Sequence, residues 1–171
     1  MKVNKQNSEF LRAYDEYSDA IFRFCLFKTR NRDLSLDITQ ETFMKTWEYL
    51  SGGEKREIEN IRAFLYKVAN NLIIDQSRKK KNFSLDEMVE YGFDYGFDEK
   101  EKTEEVIDGK KVIKVLDQID DKYREVIIMH YVDDFSIKEI AKIIKETENN
   151  VSVRLHRGLK DIKSILREYE K

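Results

Sequence analysis

The chain has 171 residues, of which 39% are charged and 40% hydrophobic, with 32 Lys+Arg against 34 Asp+Glu and a formal net charge of -2. Ten Phe, nine Tyr and one Trp are too many aromatics for a wholly disordered chain, and the longest runs free of charge, Val68–Ile74 and Val126–Val132, fall far short of the roughly 20 residues that cross a bilayer. The first 25 residues hold no uninterrupted apolar stretch of a secretory signal, one cysteine, Cys25, excludes an intramolecular disulfide and fits a reducing compartment such as the cytoplasm, and the absence of proline permits helices throughout.

A near-neutral sum argues at first against nucleic acid, whose binders are usually basic. The distribution changes that. Residues 1–83 carry 16 basic and 12 acidic side chains, residues 84–108 carry 2 and 10, and residues 109–171 carry 14 and 12. Two mildly basic segments flank one acidic stretch of net -8. The expected organisation is all-α: a helical module over 1–82, an acidic linker over 83–111 and a second helical module over 112–171. The near-repeat Tyr91-Gly-Phe-Asp-Tyr-Gly-Phe-Asp98 gives the linker more aromatics than a solvated spacer needs.

In the first module Ser8 is a candidate N-cap. Phe10, Leu11, Tyr14, Tyr17, Ile21, Phe24 and Cys25 follow at three- and four-residue steps, which predicts an amphipathic helix to about Lys28. A second helix starts near Asp33 or Ser35 and stops at Gly52-Gly53, with Phe43, Trp47 and Leu50 on its apolar stripe. Its opposite face brings together Asp37, Gln40, Glu41, Met44 and Glu48. Asn60 caps a third helix with the stripe Ile61, Phe64 or Leu65, Val68 and Leu72. That helix ends in Arg78, Lys79, Lys80 and Lys81, more cations than dipole pairing requires, so phosphate contact is expected. Asn70-Asn71 in mid-helix, with Tyr66 and Lys67 near, offers amides, an aromatic and a cation, a mix that suits unpaired bases.

In the second module Val112, Leu116 and Ile119 mark a short helix. Asp120 or Asp121 caps the next, with Tyr123, Val126, Ile127 and His130 or Tyr131 inward. Ser136-Ile-Lys-Glu139 is a capping box opening a helix through Ile144. Thr147 caps a last helix with Val151, Leu155, Leu159, Ile162 and Leu166 inward. The tight connection before Thr147 and the basic helix after it read as a helix-turn-helix whose second helix enters the major groove. Glu148, Asn149, Ser152, Val153, Arg154, His156, Arg157 and Lys160 would face outward. A helical hairpin with a solvated basic face gives the same pattern.

Taken in order, these segments resemble a bacterial RNA polymerase sigma factor of the sigma-70 family, in its small extracytoplasmic-function (ECF) group. Asp37-Ile-Thr-Gln-Glu-Thr-Phe-Met-Lys-Thr-Trp47 is similar to that family's region 2.2. Ala63–Arg78 is similar to regions 2.3 and 2.4. Asp121–Val126, Ser136–Ala141 and Val151–Arg157 are similar to region 4. Phe64, Lys145 and Ser152 stand where the family usually has Trp, Gly and Lys; a left-handed backbone at the turn would be strained for a lysine.

The resemblance implies promoter recognition and strand opening as a subunit of core RNA polymerase. It implies that Asp37, Gln40, Glu41 and Met44 meet the clamp helices of the beta-prime subunit, with Phe43 and Trp47 in the core. The loop 51–60 would hold an extruded base. Tyr66, Asn70, Asn71, Arg78, Lys79, Lys80 and Lys81 would lie on minus-ten DNA. Lys138, Asn149, Asn150, Ser152, Val153, Arg154, Arg157 and Lys160 would lie on minus-35 DNA, with the second module also meeting the beta flap. The linker would thread the polymerase channels, and an anti-sigma factor is the expected regulator. No metal, cofactor, small-molecule substrate or membrane insertion is expected. The chain offers His130 and His156 far apart and one cysteine, so no catalytic constellation competes. Two other readings are a helix-turn-helix regulator acting without polymerase and a helical interaction protein with no DNA role.

Overall fold

The structure, a computed structural model, describes residues 2–52, 58–83, 112 and 114–169, with side chains from residue 7 onward and not for 80–83. The acidic linker beyond residue 83 and residues 53–57 of the loop 51–60 therefore lie outside the described residues. Those described are helical, with no strand among them. They fall into two compact units, one within Met1–Tyr91 and one within Gly92–Lys171. No helix among them is long and apolar enough to cross a membrane.

The first unit is three helices: α1 Lys2–Thr29, α2 Arg32–Ser51 and α3 Ile61–Phe83. Helix α1 starts before Ser8, which lies inside it rather than capping it. It ends at Arg30, whose φ of 52° is left-handed and whose N–H donates to the Leu26 carbonyl at 2.9 Å. Asn31 then caps α2, its side chain accepting from the Leu34 N–H at 2.9 Å. Asn60 caps α3 as expected, accepting from the Ala63 N–H at 2.9 Å.

The core is Ala13, Ile21, Phe24 and Cys25 from α1, Ile38, Phe43 and Leu50 from α2, and Leu65, Tyr66, Ala69 and Leu72 from α3. Helix α2 also buries Ser35, Thr42 and Thr46. Polar side chains are costly inside unless hydrogen-bonded. Thr42 and Thr46 meet that need locally, donating to the carbonyls of Ile38 (2.7 Å) and Thr42 (2.8 Å). Burial pushes the Cys25 thiol pKa up to about 12.

In the second unit a helical turn at 114–117 buries Val115 and Leu116. Helix α4, Asp121–Ile127, continues into a π-helical turn, Ile128–Val132. Helices α5, Ile137–Ile144, and α6, Glu148–Tyr169, follow. Asp120 caps α4, accepting from the Lys122 N–H at 3.0 Å. The Ser136–Glu139 capping box forms in both directions. Ile140, Ala141 and Ile143 pack on Val151 and Leu155 with Val126–Met129 and Phe135. Leu166, expected inward, is exposed instead, as are Val112 and Tyr131. His130 is the half-buried alternative, its Nδ1 paired with the Phe135 carbonyl at 2.7 Å.

Two features hold α4 in place. The Arg124 side chain is 2% exposed. It donates to three carbonyls at the end of the preceding turn, Leu116 (2.6 Å), Asp117 (3.1 Å) and Ile119 (3.0 Å), and pairs with Asp121 at 2.9 Å. Gly158 lets α6 press on α4: a Cβ there would stand 2.5 Å from Ile127 Cδ1 and 2.9 Å from Tyr123 Cβ.

Candidate nucleic-acid and polymerase interfaces

Because α2 buries residues 35, 38, 42, 43, 46 and 50, its other face is open to solvent. Asp37, Gln40 and Met44 are exposed on it and Glu41 is half-exposed, paired with Lys45 at 3.6 Å. The four residues expected to meet polymerase thus share one free face. Two of them, Gln40 and Met44, also border an apolar groove that periodicity did not reveal. It has a volume of about 560 Å³ and runs between α1 and α2, lined by Phe10, Leu11, Tyr14, Gln40, Phe43, Met44 and Trp47.

Leu11 and Met44 are about 60% exposed, and Tyr14 and Trp47 are partly so. Trp47 is therefore not core, in contrast to Phe43, which is buried. The Trp47 ring leans on Phe10 at 5.1 Å and forms one wall of the groove. Leu11 and Tyr14 sit off the stripe of Ala13, Ile21 and Phe24 that faces α2 and α3.

Helix α3 is rotated relative to the expected stripe. Tyr66 is fully buried, its ring 4.9 Å from Phe24. Asn70 is 1% exposed and accepts a hydrogen bond from Lys28 Nζ at 2.5 Å. Neither can reach DNA from inside the bundle, so both are removed from the expected minus-ten set. Asn71 and Lys79 remain at the surface and line a second groove, of about 510 Å³, between α2 and α3. Tyr49 and Phe64, 4.9 Å apart, close one end of it, and Lys45, Asp75 and Gln76 add polar groups. Arg78 is exposed farther along α3; the side chains of Lys80 and Lys81 lie outside the described residues.

In the second unit α5 and α6 meet through a turn in which Lys145 takes a left-handed conformation, φ 58° and ψ 45°. The strain expected for a lysine there is thus accepted by the fold. The Glu146 N–H donates to the Ala141 carbonyl at 2.9 Å, closing the turn. Thr147 caps α6, its hydroxyl accepting from the Asn150 N–H at 3.2 Å. Asn149, Ser152, Val153, His156, Arg157 and Lys160 are exposed on α6, and Lys138 on α5. Arg154 is different. It is half-buried, and its Nη2 is paired with Glu146 Oε1. Asn150 Nδ2 donates to the other oxygen of the same carboxylate at 3.0 Å. The hydrogen bonds from Asn150 and then Arg154 hold the Glu146 pKa below its ordinary value.

The family model described as Sigma-70 region 2 matches residues 13–83, and that described as Sigma-70, region 4 matches residues 110–162. Among related proteins, the RNA polymerase sigma factor SigV of Bacillus subtilis is 30% identical over 148 residues, which are 85% of this chain and 83% of that one. The chain belongs to the sigma-70 family of RNA polymerase sigma factors, in its ECF group. The ECF RNA polymerase sigma factor SigW of Bacillus subtilis is 29% identical over 165 residues, 90% of this chain and 87% of its own. The ECF sigma factor SigL of Mycobacterium tuberculosis is 28% identical over 160 residues, 91% of this chain and 87% of its own.

This sigma factor also shares its fold with solved relatives. The sigma factor RpoE from Bartonella quintana, solved with the anti-sigma factor NepR, has a TM-score of 0.66 at 20% identity, over 93% of this chain and 97% of that one. CnrH, solved with the cytosolic domain of CnrY, has a TM-score of 0.62 at 18% identity, over 95% of this chain and 90% of that one. In the sigma factor the region 2 match spans α2 and α3 with most of α1, and the region 4 match spans the helix-turn-helix.

Proposed function

We infer that this chain directs core RNA polymerase to specific promoters and assists their opening. The observation that carries this reading is the presence, in order along one chain, of region 2 and region 4 of the sigma-70 family. A helix-turn-helix regulator acting alone would account for the second unit only, and leaves the exposed face of α2 unassigned. Sigma factors are initiation factors without enzymatic activity of their own. The bond-forming chemistry belongs to polymerase, and this chain supplies recognition and strand capture, working in the cytoplasm.

Within that function we assign Asp37, Gln40, Glu41 and Met44 to the clamp helices of the beta-prime subunit, because they form one exposed face. Asn71, Arg78 and Lys79 are assigned to minus-ten DNA. The groove that Asn71 and Lys79 line carries an aromatic pair and polar side chains, which suits an unstacked base, and Arg78 is exposed beside Lys79 on the same helix. Lys138, Asn149, Ser152, Val153, Arg157 and Lys160 are assigned to minus-35 DNA on the exposed side of the helix-turn-helix, and the beta flap to the same unit. Modules over 1–82 and 112–171, joined by an acidic linker over 83–111 that follows basic channels of polymerase, remain the proposed organisation. An anti-sigma partner is proposed as the regulator; the Bartonella quintana sigma factor was solved with one.

Neither segment is basic enough to hold duplex DNA tightly alone. Four phosphate contacts would give a log–log salt slope of roughly -3.6, and non-specific Kd values fall around 10⁻⁴ to 10⁻⁶ M. Polymerase supplies the missing affinity by fixing both units on one promoter. Co-purification with core polymerase tests the reading. The wild-type chain should be retained, and Asp37→Lys with Glu41→Lys should abolish retention while the chain stays folded. Retention of the folded double variant would overturn the assigned surface.

A further inference from the structure

The carboxylate of Glu146 occupies an unusual place. It lies in the turn of the helix-turn-helix, beside the first turn of α6, the end of the recognition helix that faces the groove when such a motif binds duplex DNA. An anion there is favoured by the helix dipole but opposed by phosphate. The side chains around it resolve the conflict. Arg154, two turns into α6, leans back toward the N-terminus and pairs with Oε1, while Asn150 one turn in donates to Oε2 at 3.0 Å. Arg154 and Glu146 side chains are only 25% and 30% exposed, although their neighbours Val153 and Arg157 are open to solvent.

We propose that Glu146 is a positioning residue that withdraws Arg154 from the DNA and ties the exposed amide of Asn150 to its own carboxylate, so that minus-35 reading falls to Asn149, Ser152, Val153 and Arg157. This rests on the promoter-recognition reading above. Arg154 then serves the protein rather than the duplex: it neutralises a carboxylate that would otherwise repel phosphate. Releasing it adds a mobile cation to the DNA face, which raises sequence-independent attraction and lowers discrimination.

A double-mutant cycle separates this from direct DNA contact by Arg154. Holoenzyme assembled from core polymerase and the full chain is assayed on a minus-35-dependent promoter and on the same promoter with that element scrambled. Arg154→Ala should lower initiation on the order of tenfold, because the carboxylate left bare repels phosphate. Adding Glu146→Gln should restore it to within about threefold, because no carboxylate is left bare. Glu146→Gln alone should narrow the preference for the intact element and steepen the salt slope by about 0.9. A direct contact predicts the reverse: Glu146→Gln fails to rescue Arg154→Ala, and that result overturns the proposal.

Thermal unfolding of the free chain supplies a readout that needs no polymerase. The double variant should lower Tm no further than the larger single change, and fully additive shifts would show that the brace is absent. Absence of promoter-specific initiation by the wild-type holoenzyme would instead defeat the function reading, while the unfolding cycle still decides whether Glu146 holds Arg154.

Discussion

Lys28 on α1 donates a hydrogen bond from its Nζ to Oδ1 of Asn70 on α3, at 2.5 Å across the interior of the first unit. The ammonium also lies 5.3 Å from the centre of the Phe24 ring. This gives a structural reason for an asparagine in mid-helix. It is the acceptor for a cation at the end of α1, where the helix dipole favours positive charge.

Asn70 and Asn71 should therefore behave differently despite being adjacent. Asn70→Ala leaves part-buried Lys28 without this acceptor and should cost about 1–3 kcal/mol of stability. Asn71→Ala should leave stability within about 0.5 kcal/mol, as surface changes do, and weaken strand opening. Denaturant unfolding of both variants, with permanganate footprinting of promoter DNA, checks this. Equal stability of the two would contradict the placement of Asn70.

Arg124 should be the most sensitive single position of the second unit. Arg124→Ala removes a guanidinium from three carbonyls and leaves buried acceptors unpaired, a cost of about 3–5 kcal/mol. Lys cannot reproduce the planar fork, so Arg124→Lys should recover less than half of that loss. Circular dichroism melts of the two variants measure both.

Gly158→Ala sets two effects against each other. Helix propensity favours alanine by about 1 kcal/mol. The added methyl meets Tyr123 Cβ and Ile127 Cδ1, and overpacking of this kind costs about 1–3 kcal/mol. The Cβ of Tyr123 is tied to its backbone and cannot swing away, so the net effect should be a lower Tm. Gly158→Val should be worse. A rise in Tm for the alanine variant would show that α4 and α6 do not pack this closely.

Cys25 should not react with iodoacetamide in the folded protein at neutral pH, because burial holds the thiol pKa at about 12, against a reference of 9.0. It should react fully after unfolding. The folded state keeps the proton more tightly, so this stabilisation is complete below the unfolded pKa and declines as pH rises through that interval. Mass spectrometry of alkylated samples across a urea series tests the accessibility.

Local signals made the caps and the α2 surface legible. Asn60, Asp120, Ser136 with Glu139, and Thr147 all cap helices as their side-chain chemistry suggests. Asp37, Gln40 and Met44 are outward because the buried face of α2 is continuous through its threonines. What periodicity could not supply is which of two apolar stripes meets a partner helix. On α3 the pair Phe64/Val68 and the pair Leu65/Ala69 fit one pattern equally well, and packing on α1 selects the second, carrying Tyr66 and Asn70 inward. On α1 and α2 it leaves Leu11, Tyr14, Met44 and Trp47 around a groove. Arg154 escaped for another reason. Its partner Glu146 lies eight residues earlier, outside α6 and before the Thr147 cap, so the three- and four-residue spacings of a helix do not reveal the pairing.

The central claim is tested most directly by transcription in vitro with purified core polymerase, with and without this chain, on a library of genomic fragments from the same bacterium. Discrete, chain-dependent transcripts from a subset of fragments that share minus-ten and minus-35 sequences are predicted. Transcripts that are identical with and without the chain across the library would contradict it.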